Sequence, residues 1–227
     1  EVISIGDELL IGQTINTNAS WIGEQLNILG FTISHCLVIS DFKNDIINAL
    51  DQAYKRSDVI LITGGLGPTN DDITKHTLTE YFNTTLKLNI EIEKNIIDYF
   101  TNRNLPILQS NRDQALIPIS CQVLPNSRGS ASGMWFEKKG VVFISLPGVP
   151  YEMKGIMNDH VFSKFSVVFS QAGATKVQRM HIVLPSKRAS EGLRLLQDDR
   201  ADERARDTCV PRAPASPSRE PDFAATP

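Results

Sequence analysis

Residues 59–72 of this 227-residue chain read VILITGGLGPTNDD. The run Val59-Ile60-Leu61-Ile62 is short, unbroken and made of β-branched and aliphatic side chains, and it is bounded by Asp58 and by Gly64-Gly65. A strand that is apolar on both faces is typical of the middle of a sheet covered by helices. The stretch therefore predicts a buried central strand that ends in a glycine-rich bend.

The segments on either side of this strand alternate between short apolar runs and helix-period patterns. Strands are predicted at residues 2–5, 31–39, 122–124, 134–137 and 141–146. Helices are predicted at about 19–29, from Asp41 onward, and at about 72–82, 90–102 and 151–161. The alternation predicts an α/β fold of three layers, α/β/α, with a mainly parallel sheet and one antiparallel hairpin around Lys138-Lys139-Gly140.

The end of the chain differs in composition from the rest. Residues 200–227 are rich in Ala, Arg, Asp and Pro and show no hydrophobic period. We therefore expect one domain over residues 1–165 and an atypical, partly disordered tail over residues 166–227. The tail could serve a function, or it could be a frameshifted, fused or vector-derived end.

Charge and composition narrow the classes of partner. The formal net charge is −3 and the estimated pI is about 5.8, so there is no broad basic footprint for nucleic acid. No apolar run approaches the roughly 20 residues that a membrane helix needs. The three cysteines lie far apart, which favours unpaired thiols in a reducing compartment. We expect a cytoplasmic protein with neither a membrane nor a nucleic-acid partner.

The glycine-rich bend is the first candidate site. Gly64, Gly65 and Gly67 allow the backbone to turn sharply and to bring its N–H groups close to a ligand, and Thr69 follows them. The next helix adds a partial positive charge at its amino end, which suits a phosphate or a pyrophosphate. The alternative is a plain strand-to-helix turn in which an aspartate caps the helix.

Two acidic pairs favour the ligand over the plain turn. Asp71-Asp72 adjoins the bend, and Asp7-Glu8 follows the first strand. Carboxylates beside a phosphate site would repel the anion unless they hold a divalent cation or act as acid or base. The carboxyl ends of parallel strands share one sheet edge, so both pairs and Asn18 can face one crevice. For Asp7-Glu8 alone, an ordinary polar turn is the alternative.

Two later segments are weaker candidates. The small-residue loop 126–133, with Ser130 and Gly133, could wrap a ribose or a phosphate, although such loops are common without a ligand. In residues 146–152, two prolines flank Gly148 and make a rigid turn before Glu152. Glu152 lies in the first turn of a helix, where the dipole favours it whether or not it contacts a ligand.

Several of these segments resemble the CinA (competence/damage-inducible) family and its relatives in molybdenum cofactor synthesis. Residues 6–18, with Gly6-Asp7-Glu8-Leu9-Leu10 and Thr17-Asn18, are similar to the CinA opening. Residues 63–74 resemble the CinA version of the shared central motif. Residues 111–115, 129–133 and 146–153 are similar to further CinA segments in the same order. The resemblance covers residues 1–161.

This resemblance implies a molybdopterin-binding-like fold. CinA amino-terminal domains are associated with metal-dependent hydrolysis of ADP-ribose at its pyrophosphate, which implies a hydrolase of the ADP-ribose pyrophosphatase type. Asp72 stands where the relatives place a catalytic aspartate. Leu66 occupies a position that is usually threonine in the molybdopterin-adenylylating branch, which favours CinA. Relatives commonly self-associate, so a homo-oligomer is expected.

The leading hypothesis is a metal-dependent nucleotide pyrophosphatase whose partner is a nucleotide-type small molecule. Asp7, Glu8 and Asp72 would hold Mg²⁺ or another divalent metal, and Asp71 and Asp72 would carry the catalytic steps. The substrate-binding residues would be Asn18, Gly64, Gly65, Gly67, Thr69, Ser130, Gly133, Gly148 and Glu152. The alternatives are a molybdopterin adenylyltransferase-like enzyme and a non-catalytic nucleotide-binding module.

Overall fold

A computed structural model of the chain describes residues 1–68 and 73–165. The strands in these residues are β1 (Val2–Ile5), β2 (Cys36–Ile39), β3 (Val59–Thr63), β4 (Leu86–Leu88), β5 (Leu116–Pro118), β6 (Gln122–Leu124), β7 (Gly133–Lys138) and β8 (Val141–Leu146). The helices are α1 (Asp7–Leu10), α2 (Thr17–Ile28), α3 (Lys43–Tyr54), α4 (Thr74–Tyr81), α5 (Ile90–Thr101), α6 (Gln109–Asp113) and α7 (Pro150–Ile156). A π-helical turn, Met157–Val161, continues α7.

Six of these strands form one sheet in the order β2-β1-β3-β8-β7-β6. Strands β2, β1, β3 and β8 run parallel, and β7 pairs antiparallel with both β8 and β6. The central strand is β3, whose Leu61 lies opposite Val2 on one side and Ile144 on the other. The sequence prediction of a mainly parallel sheet with one antiparallel hairpin is confirmed.

The sheet separates two apolar cores because successive strand residues point to opposite faces. One core contains Leu61 and packs against α2 and α7. The other contains Ile60 and Ile62 and packs against α3 and α4. The three-layer α/β/α arrangement predicted from the alternation of elements is therefore confirmed.

A smaller unit beside the main sheet was not predicted. Strands β4 and β5 pair antiparallel, and with α5 they enclose a third apolar cluster of Ile92, Ile96, Ala115 and Ile117. Each of its strands has only three residues, which is too short for a period-2 pattern to stand out.

Other boundaries shift by a few residues. Strand β2 is shorter than predicted because Phe31 and Ile33 pack against the first core instead of extending the sheet. Helix α2 begins earlier than predicted, and Asn16 is its cap, accepting a hydrogen bond from the Ala19 N–H at 3.1 Å. In residues 1–68 and 73–165 no helix has the length and apolar character needed to cross a bilayer. The predicted tail, 166–227, lies outside the described residues, and the proposed domain boundary stays a prediction.

Candidate functional site

A cavity of about 480 Å³ opens at the carboxyl ends of the parallel strands. Its walls come from the residues after β1, the start of α2, the residues after β3 and those after β8. This volume is in the range of small-molecule sites, and this edge of an open α/β sheet is where such sites form. Asn18, Gly64, Gly65, Gly67 and Gly148, which the sequence predicted as substrate-binding residues, all line this cavity.

The bend after β3, residues 64–67, can be built only with glycine at its first two positions. Gly64 and Gly65 have φ values of 114° and 64°, which side chains rarely adopt. A Cβ on Gly64 would overlap the carbonyl oxygen of Ile5, and one on Gly65 would overlap the Thr74 hydroxyl. The backbone of the 64–67 bend therefore lies directly against β1 and α4.

The N–H groups of this bend differ in their hydrogen bonding. The Gly64 N–H donates to the Leu146 carbonyl at 3.1 Å, but within residues 1–68 and 73–165 nothing accepts from the N–H of Gly65, Leu66 or Gly67. Backbone donors without an acceptor in the fold bond to water or to a ligand, and all three of these residues line the large cavity. Phosphate oxygens are suitable acceptors.

Asn18 connects two walls of the cavity by hydrogen bonds. Its Nδ2 donates to Thr63 Oγ1 at 2.9 Å and to the Gly148 carbonyl at 2.7 Å. Thr63 Oγ1 in turn donates to the Pro147 carbonyl at 3.0 Å. Both amide hydrogens of Asn18 are therefore used, and its buried Oδ1 has no hydrogen-bond partner in the described part of the chain. Only an acceptor is left on this side chain.

The carboxylates at the cavity differ from the predicted set. Glu8 and Asp41 line the cavity, whereas Asp7 does not. The Asp7 N–H instead donates to Asp41 Oδ2 at 3.2 Å, which holds Asp41 against the start of α1. Asp41 was not predicted as a site residue, because a single aspartate after a strand is also typical of the start of a helix, here α3.

Three predicted residues of the motif, Thr69, Asp71 and Asp72, lie outside the described residues. Their catalytic, binding and metal roles stay predictions. Among the described residues no group of three or more His, Cys, Asp or Glu side chains is placed to hold a metal ion. The oxygen atoms that these residues offer the cavity, from Glu8 and Asp41, suit a hard cation such as Mg²⁺, which is bound through one or two carboxylates together with substrate phosphates and water.

The 126–133 loop and Glu152 form a second, separate arrangement. Asn126 Nδ2 donates to the Ala131 carbonyl at 2.9 Å and to Glu152 Oε2 at 2.6 Å, and Asn126 Oδ1 accepts from the Arg128 N–H. Burial raises the pKa of the Glu152 carboxyl, and the Asn126 hydrogen bond acts in the opposite direction. Glu152 is thus a half-buried support for the loop.

The remaining predicted contacts lie away from the large cavity. Neither Ser130, Gly133 nor Glu152 is among the residues that line it. Gly133 begins β7 and packs between the Ser145 carbonyl, Ile156 and Leu124, which gives it a structural reason to be glycine. A smaller cavity of about 230 Å³ lies between this loop and α5, lined in part by Asn126, Gly129 and Ser132.

Two further residues at the bend were not predicted. Thr74 is fully buried with its hydroxyl against Gly65, and Gln114 donates from Nε2 to the Leu66 carbonyl at 3.3 Å. Both lie in segments that carried the family resemblance, but polar residues at such positions do not reveal their partners in sequence. Gln114, 48 residues from Leu66 in the chain, thus bonds to the bend, and Thr74 packs against it.

Comparison with known proteins agrees with this architecture. Residues 1–165 match the family model described as "Probable molybdopterin binding domain". CinA-like proteins of Flavobacterium psychrophilum and Cytophaga hutchinsonii are each 48% identical, over 72% of this chain. The match spans only 39% of the length of either protein.

Solved structures show the same fold. The protein CinA from Thermoplasma acidophilum, described as having unknown function, is 32% identical, with a TM-score of 0.64 over 71% of this chain and 95% of that one. A molybdopterin biosynthesis protein from Mycobacterium abscessus is 15% identical, with a TM-score of 0.51 over 76% of this chain and 94% of that one. At that identity the likeness is one of fold alone.

Proposed function

The chain belongs to the family of probable molybdopterin-binding domains and, within it, to the CinA group, and on that premise we propose that it is a metal-dependent nucleotide pyrophosphatase. Its substrate would be ADP-ribose or a similar nucleoside diphosphate compound. The observation that carries the proposal is the set of N–H donors at Gly65, Leu66 and Gly67, which have no acceptor within residues 1–68 and 73–165 and adjoin the large cavity.

A diphosphate matches these donors in charge and in hydrogen bonding. Successive backbone N–H groups in a bend with positive φ values form a concave anion site. The cavity volume of about 480 Å³ leaves room for more than a phosphate, as a nucleotide requires. Because the backbone of the bend is already fixed, its donors would bind the diphosphate with little loss of conformational entropy.

The acidic side chains support a role for a cation. Glu8 and Asp41 would repel a diphosphate unless a divalent ion lay between them. Asp71 and Asp72, next to the bend in sequence, would complete the ligand set and orient the attacking water. When bound, Mg²⁺ would neutralise charge on the diphosphate and lower the pKa of that water.

Asn18 would select a different part of the substrate. Its Oδ1 is a buried acceptor without a hydrogen-bond partner in the described residues, so it would repel a phosphate oxygen and would accept a hydrogen from a ribose hydroxyl that reached it through a small shift of the cavity wall. The hydrogen bonds to Thr63 and Gly148 fix this orientation of the amide. Asn18 is therefore assigned to the ribose, and the amides of the bend are assigned to the diphosphate.

In the proposed reaction one water adds across the bridging P–O bond. The water oxygen bonds to one phosphorus, the bridging oxygen leaves with the other phosphate, and the water hydrogens pass to the two phosphate products or to solvent. ADP-ribose would yield AMP and ribose 5-phosphate. The bend amides would hold the phosphate oxygens as charge shifts onto the leaving group.

The test is a turnover assay on the full 227-residue chain with ADP-ribose and Mg²⁺ or Mn²⁺, read by the release of AMP. Asp72→Asn should lower kcat by at least about a hundredfold, since a carboxylate that binds the metal or moves a proton contributes on that order. Asp98→Asn, at an exposed position of α5, is the matched control and should leave kcat unchanged.

Near-normal hydrolysis by Asp72→Asn would contradict the role of that residue. Nucleotide-dependent thermal stabilisation of the wild-type chain without turnover would instead support a non-catalytic nucleotide-binding module. Transfer of an adenylyl group from ATP to molybdopterin would support the adenylyltransferase alternative.

A further inference from the structure

Gln114 contacts the 64–67 bend on its buried side. It follows α6, it is only 3% exposed, and its Nε2 donates to the Leu66 carbonyl at 3.3 Å. Its Oε1 is buried and has no hydrogen-bond partner in the described ranges. A buried amide that is satisfied on one side only costs stability, and an apolar side chain of the same size would avoid that cost. The position therefore needs a reason other than packing.

The geometry of the peptide bond supplies that reason. Residues 1–68 and 73–165 contain no cis peptide bond, so the carbonyl of Leu66 and the N–H of Gly67 point in opposite directions within one planar unit. The Leu66 carbonyl is directed at Gln114, on the buried side of the bend. The Gly67 N–H therefore points away from Gln114, and Gly67 lines the large cavity.

We infer that Gln114 is a positioning residue for diphosphate recognition. By holding the Leu66 carbonyl, it fixes the peptide plane in which the Gly67 N–H is presented to the cavity. Without this hydrogen bond the peptide could rotate and present the carbonyl oxygen, which repels a phosphate. The inference rests on the proposed function, because it assigns Gln114 to the diphosphate part of the same site.

The residues around Gln114 are held in place by contacts of their own, which keeps Gln114 fixed. Arg112 pairs with Glu93 of α5 at 3.3 Å, and Lys75 of α4 donates from Nζ to the Asp113 carbonyl at 3.0 Å. The adjacent Ala115 is fully buried in the third apolar cluster. On the other side, the Leu66 side chain is 6% exposed and belongs to the second core. Both ends of the Gln114–Leu66 hydrogen bond are thus anchored.

The test compares Gln114→Met with Asn89→Ala in the full chain, using inorganic pyrophosphate as the probe and calorimetry with and without Mg²⁺. Methionine keeps the length of glutamine but has no donor. Asn89 caps α5 by accepting from the Ile92 N–H at 3.1 Å, so its loss weakens the same small unit without contact to the bend. Thermal unfolding of both variants shows how far their stabilities match.

Gln114→Met should raise the Kd for pyrophosphate about tenfold, the effect of one misdirected donor, while Asn89→Ala should stay within about twofold of wild type. A Gln114→Met variant that binds pyrophosphate as tightly as wild type overturns the inference and leaves the proposed function intact. A wild-type chain that binds no pyrophosphate overturns the proposed function itself.

A second measurement needs no variant and holds if Gln114→Met fails to fold. In the ¹⁵N-labelled wild-type chain, the Gly67 amide resonance should shift as pyrophosphate is added, because that N–H would gain an acceptor. A Gly67 resonance that stays in place at saturation, while pyrophosphate binding is detected by calorimetry, also overturns the inference.

Discussion

The 64–67 bend and the 126–133 loop lie at the same edge of the six-stranded sheet, because the amino end of β7 pairs with the carboxyl end of β8. Both are rich in small residues, and sequence reasoning predicted a ligand contact for both. The bend lines the large cavity and keeps three N–H groups without an acceptor in the described residues, whereas the loop does not line that cavity and its Asn126 side chain bonds with Ala131, Arg128 and Glu152.

This difference teaches that composition alone does not separate a ligand-binding loop from a self-supporting one. What separates them is the cavity that each one adjoins, because the bend lines the cavity of about 480 Å³ and the loop lines only the smaller one of about 230 Å³. The bend is short, its backbone lies against Ile5, and its residues line the large cavity. The loop is longer and carries the Asn126 side chain, whose amide bonds to Ala131, Arg128 and Glu152.

The largest expected difference in stability between the two regions comes from adding one methyl group to a glycine in each. Gly64→Ala should lower the free energy of unfolding by about 3 kcal/mol or more and abolish nucleotide binding, because its Cβ would overlap the Ile5 backbone at a positive φ. Gly129→Ala should cost less, about 1 kcal/mol, because its Cβ meets only the movable end of the Glu152 side chain. Urea unfolding measures both, and equal costs would contradict the contrast.

An intermediate effect is expected from the two asparagines. Asn18→Ala should cost about 1–3 kcal/mol in unfolding free energy, since it removes two buried hydrogen bonds, and it should weaken ADP-ribose binding about tenfold or more. Asn126→Ala should cost a similar amount of stability with unchanged affinity. Calorimetric titration with ADP-ribose at equal folded fraction provides the comparison, and a loss of affinity in Asn126→Ala would place the loop in the site.

The smallest expected effect concerns Glu152 and is a change of stability with pH. Burial raises the pKa of this carboxyl above its ordinary value of 4.5, so near that pH the folded chain binds more protons than the unfolded chain. Its contribution to stability therefore falls as the pH rises through the folded pKa. Glu152→Gln should gain unfolding free energy relative to wild type as the pH rises above about 4.5.

Urea unfolding at several pH values checks this prediction, with Glu91→Gln at an exposed position of α5 as the control. A difference between Glu152→Gln and wild type that does not change with pH would show that the carboxyl is not penalised by burial. The result would then weaken the description of the 126–133 loop as supported by a half-buried acid.

Much of the fold follows from local patterns. The apolar run before the bend predicted a central strand because only a strand buried on both faces can be apolar at every position. The hairpin turn was also predictable, since Lys139 and Gly140 adopt the positive φ values, 48° and 84°, of a two-residue turn. The small β4–β5 sheet was not predictable, because its short strands are defined by their pairing rather than by a period.

The site was predictable in outline and not in detail. The glycines and Asn18 were identified because strand ends share an edge in a parallel sheet, whatever the packing around them. Asp41 in place of Asp7 could not be foreseen, since which of two nearby carboxylates faces the cavity depends on how α1 turns after β1. The roles of Thr69, Asp71 and Asp72 remain predictions from sequence.

The sequence by itself determined the alternation of strands and helices in the main sheet, the central strand and the position of a glycine bend at its carboxyl end, because these depend on residue periodicity and backbone freedom over a few neighbouring residues. Only the tertiary structure decided that Asn126 bonds to Glu152 beside the 126–133 loop, and that Gln114 contacts the Leu66 carbonyl on the buried side of the bend. Those outcomes depend on partners 26 to 48 residues away in the chain, and the spacing of such partners leaves no local pattern.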